Sequence, residues 1–208
     1  MLEGEGLMGS IKIGLLGLGN VGSGVWNILH QNKEKIKQYT GVDIQVKKVL
    51  VRNMNKMRNV SIPKEVMTTN IDEIIIDPEI QIIVELIGGL DPAYDYMKRA
   101  IESGKHVVTA NKAVIATYGS ELFSLAKKNR VEIRFEGSVG GGIPIISTLT
   151  KSLAGNQIDE IIGIINGTTY YILTQMSQNG MAFDEALKLA QINGYAEADP
   201  SSDIEGED

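Results

Sequence analysis

The stretch IKIGLLGLGNVGSGVWNIL, residues 11–29, decides the fold of this 208-residue chain. It opens with an apolar run, passes through Gly17, Gly19 and Gly22, and continues with the apolar spacing of a helix. The glycines fit the pattern G-x-G-x-x-G, in which the first permits a tight turn and the second lets a pyrophosphate approach the backbone. The third lets the helix pack close to the strand. The stretch therefore predicts the phosphate-binding turn of a dinucleotide-binding fold.

The start of the predicted helix is the expected anion site. N–H groups in the first turn of a helix have no intrahelical acceptor, and those of Asn20 and Val21 come directly after the second glycine. Their orientation and partial positive charge suit a phosphate. A glycine turn without a ligand is the alternative, but the strand–turn–helix context that the motif requires is present.

Short apolar runs alternate with longer helical stretches as far as residue 135. This alternation predicts an α/β fold, a Rossmann-like doubly wound parallel sheet with helices on both faces. The predicted strands are 11–16, 44–51, 82–85, 106–109 and 131–135. The predicted helices are 21–39, 71–76, 93–103 and 118–129.

The texture changes at the glycine-rich stretch EGSVGGGIP, residues 136–144. A helix-like segment at 145–153, a strand-like segment at 158–165 and two further helical segments follow it. We therefore expect a domain boundary near Glu136, with a nucleotide-binding domain at 1–135 and an incomplete α+β domain at 136–208.

Composition and charge exclude several classes of protein. The formal net charge of −6 argues against general nucleic-acid binding, which needs a basic face. The sequence has no cysteine, so disulfides and thiolate sites are excluded. The start MLEGEGLMGS lacks the basic flank and apolar run of a signal peptide, and no apolar run reaches the roughly 18 residues of a membrane span. These features predict a cytoplasmic protein.

The end of the second predicted strand, VKKVLVRN at 46–53, bears on the choice of dinucleotide. An NAD site places Asp or Glu there to accept from the ribose 2′-hydroxyl. This chain has Arg52 followed by Asn53. A guanidinium pairs well with a 2′-phosphate, so NADP is favoured over NAD; a solvated surface arginine is the alternative.

Polar residues follow the fourth predicted strand in HVVTANKAVIA, residues 106–116. Thr109, Asn111 and Lys112 are expected at the carboxyl edge of the sheet, where ligands of such folds bind. Lys112 is therefore a candidate contact for substrate or cofactor. A lysine at a helix start that points into water is the alternative.

Five motifs together resemble the homoserine dehydrogenase family, from residue 11 to the end. They are GLGNVGSGV at 17–25, ANKAVIA at 110–116, EGSVGGGIPII at 136–146, NGTTYYILTQM at 166–176 and GYAEADPSSDIEGED at 194–208. The family interconverts L-aspartate 4-semialdehyde and L-homoserine with NAD(P)H, in threonine, methionine and isoleucine biosynthesis. The resemblance also implies that the second domain binds substrate and forms a homodimer.

The resemblance implies roles for particular residues. Glu197, Asp203 and Asp208 would line the homoserine site, where carboxylates suit the α-ammonium of the substrate. Thr109 and Lys112 would contact the cofactor, and Lys112 would lie between cofactor and substrate. A monovalent cation, Na⁺ or K⁺, would be held by the Glu136 side chain and the backbone carbonyls of Val139, Gly141 and Ile143, which are suitable oxygen ligands for a hard cation.

The segment NGTTYYILTQM also has an interpretation without catalysis. Asn166 and Thr168 are expected to cap the following helix. Tyr170, Tyr171 and Leu173 are then expected to fill core positions.

The acidic end, GYAEADPSSDIEGED, admits three hypotheses: a solvating tail, a metal loop, or one side of an active site. The spacing excludes an EF-hand loop. The resemblance implies that the motif continues past Asp208 into a helix, whose lysine four residues on donates the catalytic proton. On that basis we expect a chain truncated before its proton donor, with Asp208 and Lys112 as its catalytic residues. A non-catalytic dinucleotide-binding module and a dehydrogenase for another aldehyde are the alternative functions.

Overall fold

The computed structural model describes residues 9–196 and 200–206. The chain divides after Ala154 into two compact units. Two apolar clusters form the core of the first unit, and a separate cluster around Ile172 forms the core of the second.

The first unit is built on a six-stranded parallel sheet. Its strands are β1 (Ser10–Leu16), β2 (Asp43–Leu50), β3 (Met67–Thr68), β4 (Ile80–Glu85), β5 (His106–Thr109) and β6 (Ile133–Arg134). Their order across the sheet is β3-β2-β1-β4-β5-β6. The order reverses between β1 and β4, and ligands of doubly wound sheets bind at the carboxyl ends of the strands at that point. The predicted Rossmann-like fold is confirmed.

Neighbouring strand residues point to opposite faces of the sheet, and this alternation builds two cores. On one face, Leu15 and Val84 share a cluster with Trp26. On the other face, Leu16 and Ile83 share a cluster with residues of two further helices, Met97 and Leu122 among them. The helices of the first unit are α1 (Asn20–Gln31), α2 (Lys33–Thr40), α3 (Asp72–Ile75), α4 (Ala93–Glu102) and α5 (Lys112–Asn129).

Several elements in this unit differ from those predicted, and β6 has only two of the five residues expected at 131–135. The predicted helix 21–39 is two helices, because the backbone leaves helical geometry at Asn32 (φ −106°, ψ 19°). Helix α5 begins at Lys112 rather than at residue 118, since the Asn111 side chain accepts from the Val114 N–H and caps it. In place of the predicted helix 145–153 there is one π-helical turn, Thr148–Ser152.

The second unit contains α6 (Gly167–Asn179), α7 (Phe183–Ile192) and α8 (Ser201–Glu205). Ile172 of α6 packs against Ala186 and Ala190 of α7, and all three are buried. Of the core residues predicted on α6, Tyr171 is half-buried at the edge of this cluster. Tyr170 and Leu173 are 54% and 55% exposed, so their predicted core positions are wrong. They lie on the side of α6 away from the face that Thr168 and Ile172 bury.

The strand predicted at 158–165 is also wrong. These residues have no regular structure, and their isoleucines are exposed, from 42% at Ile158 to 91% at Ile165. A strand needs a neighbour for its N–H and C=O groups, and the described part of the second unit contains no strand. Among the helices that the structure describes, none combines the length and the apolarity needed to cross a membrane.

Candidate functional site

The glycine turn between β1 and α1 has the geometry that its sequence predicts. Gly17 adopts a φ of +98°, which L-residues rarely reach, and a side chain there would meet the Leu86 carbonyl oxygen at 2.7 Å. A Cβ at Gly22 would lie 2.3 Å from the Gly17 carbonyl oxygen. The tight turn and the close approach of the helix therefore both require glycine.

Gly19 differs from its two neighbours in the motif. A Cβ there would meet no atom within 4 Å, and its backbone is extended (φ −85°, ψ −154°). It is the N-cap of α1, and its carbonyl accepts from the Ser23 N–H. The space beside Gly19 is therefore open, and the N–H groups of Asn20 and Val21 in the first turn of the helix have no intrahelical acceptor. This is the approach that a pyrophosphate needs.

A cavity of about 530 Å³ opens at this turn, at the carboxyl ends of β1, β2 and β4. It is lined by Gly17, Leu18, Gly19, Leu50, Val51, Arg52, Asn53, Lys56, Arg58, Thr69, Leu86, Ile87, Pro92 and Tyr96. Its walls are apolar near the strands and polar near the loop after β2. A volume of this size suits part of a dinucleotide.

The polar side of the cavity is cationic. Arg52, Lys56 and Arg58 line it, and no carboxylate is among its described lining residues. The Arg58 guanidinium donates to the Lys56 carbonyl (2.9 Å) and to the Asn53 carbonyl (2.7 Å), so it folds the loop back on itself. Within the described ranges, the side chains of Arg52 and Lys56 form no hydrogen bond or ion pair, which leaves both charges available to an anion.

A buried hydrogen-bond network joins the loops that follow β4 and β5. Glu85 is fully buried, and its carboxylate accepts from the Ile87 N–H and from the Thr109 hydroxyl, both at 2.7 Å. The Thr109 hydroxyl in turn accepts from the Asn111 N–H at 2.9 Å, and the Asn111 amide donates to the Gly89 carbonyl at 2.7 Å. The hydroxyl of Thr109, which was predicted to contact the cofactor, is therefore hydrogen-bonded to other residues of the protein.

Lys112 is the first residue of α5 and is exposed at the carboxyl edge of β5. The Asn111 cap fixes the direction in which the helix leaves that edge. The predicted edge location of Lys112 is confirmed, and its role toward a ligand stays a prediction.

The glycine-rich loop after β6 packs on the end of β5. The Ser138 hydroxyl donates to the Thr109 carbonyl at 3.3 Å, and a Cβ at Gly137 would lie 3.1 Å from Ala110. Gly140 and Gly141 have φ values of +69° and +60°, so the loop needs glycine to turn.

The Glu136 carboxylate organises the far side of this loop. It accepts from the backbone N–H groups of Ile146 (2.8 Å) and Ser147 (2.9 Å) and from the Ser147 hydroxyl (2.6 Å). The Ser147 hydroxyl is the main cause that lowers the pKa of Glu136, with the backbone donors adding to it. No cluster of three or more His, Asp or Glu side chains suited to a metal occurs among the residues that the structure describes. The predicted Na⁺ or K⁺ site is not a cluster of this kind, because it combines one carboxylate with three backbone carbonyls.

In the second unit, Asp203 of α8 is tied to the start of α6. The Asn166 amide donates to the Asp203 carboxylate at 2.8 Å, and its oxygen accepts from the Thr169 N–H at 2.7 Å. Asn166 is therefore the predicted helix cap. Thr168 is not a cap, because its hydroxyl donates to the Tyr195 carbonyl at 2.6 Å.

The structure thus brings part of the predicted site together. Gly17, Gly19 and Arg52 line one cavity, beside Asn20, Val21 and Gly22 of the same turn. Glu197 and Asp208, predicted to bind substrate, lie outside the described residues. Sequence reasoning missed the cavity residues Lys56 and Arg58, although the basic residues that follow β2 were a signal for them.

Two family models match the chain. The model described as "Homoserine dehydrogenase, NAD binding domain" covers residues 17–136, and the model described as "Homoserine dehydrogenase" covers residues 144–208. The first match alone spans more than half of the chain.

Similar proteins carry the same name. The homoserine dehydrogenase of Synechocystis is 52% identical over 199 residues, which are 96% of this chain and 46% of that protein. The crystal structure of a homoserine dehydrogenase from Thiobacillus denitrificans superposes with a TM-score of 0.86 at 48% identity, over 95% of this chain and 46% of that one. A hyperthermophilic archaeal homoserine dehydrogenase in complex with NADPH superposes with a TM-score of 0.79 at 30% identity, over 95% of this chain and 65% of that one.

The chain spans about half the length of the curated relatives that it matches. Within that span, the parallel sheet with its glycine turn and the two family matches lead to one assignment. The chain belongs to the homoserine dehydrogenase family.

Proposed function

We propose that this chain forms the nucleotide-binding domain and the first part of the substrate domain of a working homoserine dehydrogenase. Such an enzyme interconverts L-aspartate 4-semialdehyde and L-homoserine with NADPH or NADH. The observation that carries the proposal is the open glycine turn in a chain of this family. The turn lines a cavity whose polar side consists of basic side chains. We place the domain boundary near Glu136, where the match to the NAD binding domain ends.

NADP is the favoured cofactor. Arg52 and Lys56 line the cavity beyond the end of β2, where an NAD site would place a carboxylate for the ribose hydroxyls. A 2′-phosphate would neutralise these cations through charge-assisted hydrogen bonds. The NADPH complex of the archaeal relative agrees with this preference.

The protein supplies binding and orientation, whereas NAD(P)H when bound supplies the hydride. The turn at residues 17–22 would hold the pyrophosphate through its free N–H groups. Lys112, at the edge of β5, would orient the reacting groups with its ammonium. Asp203, together with Glu197 and Asp208, would pair with the α-ammonium of homoserine.

A monovalent cation, Na⁺ or K⁺, is proposed beside the glycine-rich loop. The donor set fits a hard cation, since Glu136 is a carboxylate with a lowered pKa and the carbonyls of Val139, Gly141 and Ile143 add neutral oxygens. The Ile143 carbonyl already accepts from the Ile145 N–H, and its second lone pair is still available. The cation would hold the loop against the end of β5.

The quaternary structure and the compartment stay predictions from the resemblance and the composition. We expect a homodimer in the cytoplasm that does not bind nucleic acid. Sedimentation of the purified protein tests the dimer, and the expected mass is twice that of one subunit.

Turnover tests the proposed function. The protein translated from the whole reading frame that contains these residues is purified and assayed for homoserine oxidation with NADP⁺ and NAD⁺. We expect homoserine-dependent NADPH formation that exceeds the rate with other amino alcohols. A folded protein that binds NADPH without oxidising homoserine would be a binding module, and activity on a different alcohol alone would make it another dehydrogenase.

A further inference from the structure

Glu85 is the one fully buried carboxylate among the described residues, and it lies at the ligand edge of the sheet rather than in an apolar layer. Burying a charged carboxylate is costly unless it accepts hydrogen bonds. Both of its oxygens do so, at 2.7 Å, one from the Ile87 N–H and one from the Thr109 hydroxyl. Ile87 lies in the loop that follows β4, and Thr109 is the last residue of β5.

The hydrogen bonds form a closed circuit between the loops that follow β4 and β5. The Glu85 carboxylate is bonded to the Thr109 hydroxyl, and this hydroxyl is bonded to the Asn111 N–H. The side-chain amide of Asn111 is bonded in turn to the Gly89 carbonyl. The chain from Gly89 back to Ile87 completes the circuit. Since Thr109 and Asn111 are also buried, water does not compete for these bonds. The circuit fixes one loop relative to the other.

Each loop carries part of the candidate site. Leu86 and Ile87 line the cavity, and the Leu86 carbonyl is the atom that a side chain at Gly17 would meet. On the other loop, Asn111 caps the helix that begins at Lys112. The Glu85 carboxylate therefore stands between the wall of the nucleotide cavity and the start of α5.

The circuit requires a carboxylate because both of its partners donate. The Ile87 N–H can only donate, and the Thr109 hydroxyl donates its single proton to Glu85 while its oxygen accepts from the Asn111 N–H. A glutamine would direct an NH₂ group at one of these donors and leave it without an acceptor. The need for two accepting oxygens, rather than the need for a negative charge, therefore explains why a glutamate occupies this position.

We propose that Glu85 is a positioning residue of the nucleotide site, which holds the cavity wall at 86–87 and the helix start at Lys112 in the arrangement that binds the cofactor. The inference rests on the proposed function, since it assigns a role within that dinucleotide site. Glu85 itself touches neither cofactor nor substrate in this role.

Four variants test the inference: Glu85→Gln, Thr109→Val, the conservative Thr109→Ser, and the control Glu79→Gln. Glu79 precedes the opposite end of β4, where its exposed carboxylate pairs with Lys12 and Lys47. Two quantities are measured on each folded protein. Amide hydrogen exchange at Ile87 and Asn111 reports on the circuit, and titration with NADPH gives the Kd.

We expect Glu85→Gln and Thr109→Val to exchange both amides faster and to raise the Kd for NADPH by about tenfold, the effect of losing one charge-assisted hydrogen bond. Thr109→Ser retains the hydroxyl and should restore both values. Glu79→Gln should leave both unchanged. If Glu85→Gln fails to fold, the comparison of Thr109→Val with Thr109→Ser decides the matter.

Two results would overturn the inference. Faster exchange with an unchanged Kd would make Glu85 a structural residue only. Unchanged exchange would mean that the circuit does not hold the loops. If the wild-type chain itself does not bind NADPH, the proposed function fails and the role of Glu85 in that site fails with it, while the exchange data still report separately on the circuit.

Discussion

The amide of Asn166 donates a 2.8 Å hydrogen bond to the carboxylate of Asp203, across 37 residues of sequence. The same Asn166 side chain caps α6 through its oxygen, so one residue both starts a helix and holds the acidic segment. A second bond, from the Thr169 hydroxyl to the Asp203 carbonyl at 3.3 Å, ties the backbone of α8 to the same point. The acidic end therefore includes a helix that is anchored to the start of α6, and the hydrogen bond from Asn166 orients the Asp203 carboxylate.

Replacing Asn166 should separate these two functions. Asn166→Ala removes the cap and should cost about 1 kcal/mol of stability in the second unit. Asn166→Asp keeps a capping oxygen but sets a like charge against Asp203, so it should raise the KM for homoserine more than it affects the cap. Hydrogen exchange of the α6 amides and steady-state kinetics measure the two effects. An Asn166→Asp enzyme with wild-type KM would contradict the role given to this contact.

Alanine at Gly22 should chiefly lower the stability, whereas alanine at Gly19 should chiefly weaken cofactor binding. In Gly22→Ala the new Cβ would lie 2.3 Å from a backbone oxygen, so the protein should lose about 1–3 kcal/mol of stability. Gly19→Ala meets no atom and should lose at most about 1 kcal/mol, as a poorer N-cap. Its methyl group, however, enters the space expected for the pyrophosphate, so NADPH binding should weaken about tenfold or more. Urea unfolding followed by the fluorescence of Trp26, the single tryptophan, gives the stabilities. Tight NADPH binding by Gly19→Ala would rule out this location for the phosphates.

Arg52 should determine the preference for NADP. Arg52→Gln should raise the Kd for NADPH about tenfold, the effect of one hydrogen bond to a charged group, and leave the Kd for NADH nearly unchanged. Added salt should weaken NADPH binding more than NADH binding, because the 2′-phosphate contact is ionic. Arg134→Gln is the control, since Arg134 lies on β6 at the opposite edge of the sheet and pairs with Glu132. Equal losses for both cofactors in Arg52→Gln would refute the 2′-phosphate contact.

The Glu136 carboxylate should contribute a pH-dependent part of the stability. Its pKa is lowered chiefly by the Ser147 hydroxyl, so its stabilising effect is fully present above the ordinary glutamate value of about 4.3. The effect should disappear as the pH falls through the lower pKa of the folded state. The difference in urea midpoint between wild type and Glu136→Gln should therefore shrink on acidification from neutral pH. A difference that stays constant below about pH 4.3 would show that the folded-state pKa is not lowered.

Much of the first unit could be predicted because its signals are local. The spacing of Gly17, Gly19 and Gly22 behind an apolar run identifies β1, the turn and α1, and the buried strands are short runs of isoleucine and valine. Strand β3 was missed because it has only two residues, and it pairs with β2 from a distance in sequence. Lys56 and Arg58 lie in an irregular loop, and only the folded chain places them at the cavity.

The second unit was predicted less well because its contacts are not local. The isoleucine-rich run at 158–165 has the composition of a strand, but a strand forms only beside another. The partner of Asp203 is Asn166, and no periodicity relates two residues so far apart. The network around Glu85 was missed for the same reason, since Glu85 ends β4 whereas Thr109 and Asn111 lie at the end of β5 and just after it.

Calorimetric titration of the 208-residue chain with NADPH tests the central claim most directly, because the glycine turn and the cations around the cavity all lie within it. We predict saturable binding of one NADPH per chain, tighter than that of NADH, which Gly19→Ala abolishes or weakens at least about tenfold without unfolding the protein. No binding by the folded wild-type chain, or equal binding by Gly19→Ala, would contradict a nucleotide site at this turn.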